Sequence, residues 1–219
     1  MAYHIDADKV TLEDLLVRIK ETDLVPSRVL LLEGIDDNFS NLKMNGIFTL
    51  ADFRKFVKYS KNIVPLAEKT HINAEYLTLL RREVEGYFPK SFSLSEFIWL
   101  NKNEIAKLEN IGYKNTALLY EALETSSKRE ELINSSFLDK DFIDEISSLV
   151  DLTRIQWVSP IVARMLFDAG YKSVKSVAEA NYEELYKLFE KVNDANKYFK
   201  GKIGLRDVKR LIKAALYVL

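Results

Sequence analysis

The stretch Leu166-Phe167-Asp168-Ala169-Gly170-Tyr171-Lys172-Ser173 decides the fold. It recurs in other dress as Leu42-Lys43-Met44-Asn45-Gly46-Ile47-Phe48-Thr49 and as Leu108-Glu109-Asn110-Ile111-Gly112-Tyr113-Lys114-Asn115. Each copy reads as the end of a helix. A leucine four residues before the glycine packs inward. The glycine turns left-handed, because it has no Cβ to clash, and the following Ile or Tyr packs back. Gly46, Gly112 and Gly170 are therefore expected to be structural helix caps. A small polar residue then opens the next helix by accepting from its free amides.

Working outward, Thr11-Leu12-Glu13-Asp14 forms a capping box, followed by Leu12, Leu15, Leu16 and Ile19 at helical spacing. Pro26 ends that helix, and Ser27 to Leu32 reads as a short one broken at Gly34. Ile35, Phe39 and Leu42 continue the helical pattern to Gly46. Thr49 caps the next helix, with Leu50, Phe53, Phe56 and Val57 expected inside. Ile63–Thr70 and Asn73–Tyr87 follow, the second with a Tyr76, Leu77, Leu80, Val84 stripe.

The pattern then restarts. A shift of 66 residues lays Phe39 on Ile105, Gly46 on Gly112, Thr49 on Asn115, Leu66 on Leu132, Tyr76 on Phe142 and Val84 on Val150. Apolar falls on apolar and cap on cap, which marks an internal repeat. A third unit has Ser159-Pro160 opening a helix that runs to Gly170. Asn181 caps another, with Leu185, Leu188 and Phe189 inward. Asn193 to Gly204 reads as a loop, and Arg206 to Leu219 as a closing amphipathic helix burying Val208, Leu211, Ile212, Ala215 and Leu216. No segment alternates with period two. The expectation is an all-α protein in three parts: 1–90 (N-terminal helices plus a first unit), 91–150 and 151–219.

Composition bounds the chemistry. No cysteine among 219 residues excludes disulfides, thiolate metal sites and cysteine nucleophiles. The two histidines, His4 and His71, have no ligand spacing, so no metal and no cofactor are expected. No apolar run is long enough for a membrane span and no leader-like start is seen, so the cytoplasm is the default location. Net charge is −1. Residues 1–150 carry 19 Lys/Arg against 25 Asp/Glu, net −6, whereas residues 151–219 carry 13 against 8, net +5.

An apolar helix, a tight turn and a second helix ending Leu-x-x-x-Gly-Ile/Tyr resemble the helix-hairpin-helix motif, a SAM-like arrangement, carried best by Leu152 to Tyr171. The whole chain resembles an uncharacterised bacterial family, domain of unknown function 4332. The resemblance rests on Val25-Pro26-Ser27-Arg28, on Tyr76-Leu77 with Leu80-Arg81-Arg82-Glu83, and on Leu152-Thr153-Arg154-Ile155 followed by Trp157 and Ala163. It implies tandem helix-hairpin-helix-like repeats and no established activity. Such modules generally hold a DNA phosphate on the amides of a Gly-hydrophobic-Gly turn. Here that turn is Gln156-Trp157-Val158, without either glycine.

Two readings of function follow. The first is a non-enzymatic protein-interaction or scaffold module, with a protein partner or a second copy of itself. The alternative is nucleic-acid binding through the basic C-terminal unit. Its candidate residues are Lys197, Lys200 and Lys202, beside Tyr198 and Phe199, and Arg206, Lys209, Arg210 and Lys213 on the last helix. Trp157 is expected to plug the core. Arg81 is expected to pair with Glu85 at helical spacing. The adjacent carboxylates Asp36-Asp37 and Glu183-Glu184 read as cap chemistry, and no catalytic residue is assigned.

Overall fold

A computed structural model describes residues 3–218. It contains thirteen α-helices among the described residues and no strand. Two isolated β-bridges occur. The chain divides into two compact units, Ile5–Phe88 and Pro89–Leu219, the second including Met1–His4.

The 5–88 unit holds α1 (Leu12–Glu21), α2 (Ile35–Met44), α3 (Leu50–Phe56), α4 (Ile63–Thr70) and α5 (Ala74–Glu85), with a 3₁₀ helix at Pro26–Leu32. Thr11 and Thr49 close full capping boxes with Asp14 and Asp52. The Thr11 bonds to Asp14, and the Phe48 and then Thr49 bonds to Asp52, hold both carboxyls below the usual carboxylate range. The two caps are bridged: Leu12 N–H donates to the Phe48 carbonyl (2.8 Å) and Leu50 N–H to the Val10 carbonyl (2.9 Å). Leu12, Leu15, Phe39, Leu42, Phe53, Leu77, Leu80 and Val84 fill the core. Arg28 reaches Glu83 at 3.5 Å. Phe56, expected inside, is 38% exposed. It is the last residue of α3, and Val57 takes the inward position instead. Glu85 pairs with Arg54 (3.0 Å), not with Arg81.

The 89–219 unit holds α6 (Lys102–Asn110), α7 (Thr116–Ala122), α8 (Ser126–Ser136), α9 (Lys140–Leu152), α10 (Pro160–Asp168), α11 (Val174–Ala178), α12 (Tyr182–Asn196) and α13 (Leu205–Leu216). The segments 91–150 and 151–219 share one hydrophobic core, running from Leu94 to Val218. Ser93 and Asn115 are bridged as Thr11 and Thr49 are: Thr116 N–H donates to the Phe92 carbonyl (2.9 Å).

Gly46, Gly112 and Gly170 have φ of 80°, 105° and 94°. At each, the glycine N–H bonds the carbonyl three residues back and the next N–H bonds the carbonyl five back: Ile47 to Leu42, Tyr113 to Leu108, Tyr171 to Leu166. That is a complete Schellman closure, three times over. Two expectations at the C-terminus are corrected. The loop begins at Lys197, not Asn193, because α12 runs on to Asn196. Leu216 is half exposed, since Ala214 and Ala215 take the inward side of the last turn of α13.

Candidate nucleic-acid interface

α13 buries Val208, Leu211, Ala214 and Ala215, three to four residues apart, so its basic residues must face outward or lie at the edge of the buried face. Arg206 and Lys209 are exposed, Lys213 is half-buried, and Arg210 sits at the edge. The Arg210 guanidinium lies 4.3 Å from the Trp157 ring centroid. Its Nε is enclosed and has no hydrogen-bond partner. Lys209 places its ammonium 4.3 Å from the Tyr182 ring centroid.

Trp157 is not a core plug. It sits between Ile155 and Val158, both buried, with φ of 70°, and is 48% exposed. A left-handed residue between two buried neighbours swings its side chain outward. Ser159 closes the turn by capping Val162 N–H (3.4 Å). Beyond it lies an open groove of about 440 Å³, floored by Val162, Phe189, Val208 and Leu211 and edged by Trp157, Phe199, Lys202 and Arg210. Asp207 stands in the wall and accepts Gly204 N–H through Oδ2 (2.8 Å).

The 197–204 loop is pinned from below. The Asn193 side chain accepts Phe199 N–H (2.7 Å) and donates to the Phe199 carbonyl (2.9 Å). Tyr198 donates to Asp168 (2.9 Å), which is itself held by Arg164 (2.9 Å). Burial, and then the bond to Asp168, raises the Tyr198 pKa. The Phe199 ring crosses Gly201 so closely that a Cβ there would meet it at 2.6 Å.

The sequence candidates therefore part company. Lys202 and Arg210 meet on the groove. Lys197 caps α12 in the left-handed conformation and lies 3.6 Å from Asp194. Lys200 is exposed on the loop. Among the described residues no carboxylate pairs with Lys200, Lys202, Lys209 or Arg210. Sequence reasoning found the Ser159 cap but missed the grip of Asn193 on the loop and the exposure of Trp157. The signal available was Ser159-Pro160 directly after Trp157-Val158, which marks a helix start and hence a turn at the surface. Among the described residues no group of three His, Asp or Glu could hold a metal ion, and no helix is long and apolar enough to cross a membrane.

The family described as Domain of unknown function (DUF4332) matches residues 100–217, which runs from just before α6 to the end of α13. The chain belongs to this family. The match contains the groove entire, so Trp157, Phe199, Lys202 and Arg210 all lie within the DUF4332 region. No curated protein and no solved structure matches the chain.

Proposed function

We propose that this protein binds nucleic acid at the groove of Trp157, Phe199, Lys202 and Arg210, and that its role is binding rather than catalysis. One observation carries the reading: two cations without carboxylate partners, Lys202 and Arg210, edge an open groove beside the exposed rings of Trp157 and Phe199. Lysine and arginine neutralise phosphates and release counterions, while exposed aromatic faces take bases. The paired carboxylates have structural work instead. Asp36 holds Lys20 at 2.6 Å, and Glu183 and Glu184 occupy the first turn of α12, where negative charge complements the free amides.

The architecture we infer is a tandem array of helix-hairpin-helix-like units, 1–90, 91–150 and 151–219. Support comes from the three Schellman closures and from helices offset by 66 residues: α3 maps onto α7 end for end, and left-handed His71 onto left-handed Phe137.

The test is titration of labelled oligonucleotides with the full chain across a salt series. Affinity should fall linearly with log salt, and the double variant Lys202→Glu, Arg210→Glu should abolish it. No binding at low salt would sink the reading.

A second reading, protein interaction, has its own observation. In the 5–88 unit Met44 and Phe48 are 74% and 58% exposed on either side of Gly46. Gly46 itself lines an open groove of about 550 Å³ with Phe56, Pro65 and Leu66. Exposed apolar clusters of this kind mark association surfaces. Self-association that is lost on Phe48→Asp, read by sedimentation equilibrium, would favour it. A wild-type chain that is monomeric at all concentrations would remove the second-copy form of it.

A further inference from the structure

We propose that the groove beside Trp157 takes single-stranded nucleic acid, seating one unstacked base against the Trp157 and Phe199 rings with its flanking phosphates on Lys202 and Arg210. The inference rests on the nucleic-acid reading and narrows it.

The hairpin turn is poorly suited to the duplex mode. Holding a duplex phosphate on a hairpin turn needs free amides and a bare backbone. Here Val158 N–H is already donated to the Ile155 carbonyl (3.1 Å). At the start of α10, Pro160 has no N–H and the Val162 N–H is taken by Ser159. The Trp157 side chain, thrown outward by its positive φ, stands where a backbone phosphate would approach.

What the turn offers instead is a ring face. Trp157 and Phe199 are 48% and 42% exposed, and between them lies an apolar floor. A duplex hides its base faces in the stack and would leave that floor wet. A single strand can unstack a base, and base–aromatic stacking is tolerant of sequence because every base has a π-face. Arg210 lies over the Trp157 ring as a second planar surface, with its Nε enclosed and without a partner. The Asp207 carboxylate in the groove wall repels phosphate. The interior is therefore a place for a base, and the cationic rim a place for the backbone. At about 440 Å³ the groove falls within the range of small-ligand clefts, ample for one base and its sugar.

The full chain is titrated with a mixed-sequence 16-nucleotide single strand, as DNA and as RNA, and with the matching duplex at equal salt. Tryptophan fluorescence is followed in parallel. The single strand is expected to bind at least tenfold tighter than the duplex and to quench the tryptophan signal. Trp157→Ala should weaken single-strand binding about fivefold or more, with Trp157→Phe restoring most of it. Phe199→Ala, on the loop and away from the turn, should weaken it independently, which covers the case that Trp157→Ala disturbs the fold. Equal or tighter duplex binding with unchanged fluorescence would overturn the single-strand assignment and leave nucleic-acid binding standing. Binding of neither would overturn both and turn attention to the protein partner.

Discussion

Tyr76 shows how one buried hydroxyl sets a pH limit on the 5–88 unit. Its O–H donates to the Leu31 carbonyl at 3.1 Å, and the ring is 4% exposed. Burial pushes its pKa from the ordinary 10 to about 12. The folded chain thus holds this proton more tightly than the unfolded one. The stability it contributes is complete below pH 10 and drains away as pH rises toward 12. Tyr76→Phe removes that dependence and leaves the Leu31 carbonyl without its donor, a loss of about 1 kcal/mol at neutral pH. Denaturation midpoints of wild type and variant should differ at pH 7 and converge by pH 11. Parallel curves would refute the assignment. Trp157 marks the opposite case, where sequence reasoning stops short. A side chain in the left-handed region bears about 1–2 kcal/mol of strain. Nothing in Gln156-Trp157-Val158 announces it, because the turn lies outside any helix and no period applies. The apolar area of Trp argued for burial, and the backbone decided otherwise.

At the scale of elements, the helices were legible and the loop between the last two was not. Period and caps together set α5 and α7, and the 66-residue repeat sets α9. Asn73, Asn115 and Asp139 each accept from the first-turn amides, and each is followed by an inward stripe. Gly46, Gly112 and Gly170 stand where the sequence puts helix ends, since only a residue without Cβ takes φ near 90° freely. Asn193 broke the reading, because asparagine followed by Asp-Ala-Asn-Lys resembles a turn. In the structure it is helical, and its side chain grips the Phe199 backbone at both N–H and carbonyl. Such a side-chain bond joins a helix to a loop six residues on, which pattern reading does not register. Asn193→Ala should cost about 1–2 kcal/mol and release the 197–204 loop. Hydrogen exchange at the Phe199 amide should quicken, and single-strand affinity should fall because Phe199 is no longer held over Gly201. Unchanged exchange at Phe199 would mean the loop is held by Tyr198 and Asp168 alone.

On the scale of the whole molecule, Tyr3 ties residues near the start of the sequence into the 89–219 unit. The 1–90 segment read from the sequence crosses a boundary between units, since Tyr3 and His4 belong with 89–219. No repeat or stripe announces a single tyrosine 150 residues from its partner. Its physical signature is the hydrogen-bond ring it completes. Tyr3 is 2% exposed, its O–H donates to the Thr153 carbonyl (3.1 Å), and it accepts from the Thr116 hydroxyl (3.1 Å). Arg154 donates to the Tyr3 carbonyl (3.1 Å) and the Val218 carbonyl (3.1 Å) while pairing with Asp151 (2.8 Å). Tyr3 and Val218 are thus fastened by one buried guanidinium, over the ring of Tyr120 at 4.4 Å. Burial raises the Tyr3 pKa, the sign of a phenol kept neutral inside. Removing the ring should open a cavity and leave the Thr153 carbonyl and the Thr116 hydroxyl without their partner, at a cost of about 3–5 kcal/mol to the 89–219 unit. Both tryptophans, Trp99 and Trp157, lie in that unit, so tryptophan fluorescence reports it alone. Tyr3→Ala should move the fluorescence midpoint to much lower denaturant, and Tyr3→Phe should move it by about 1–2 kcal/mol. If the Tyr3→Ala midpoint stays at the wild-type value, the N-terminal residues are not part of this core and the family fold stands without them.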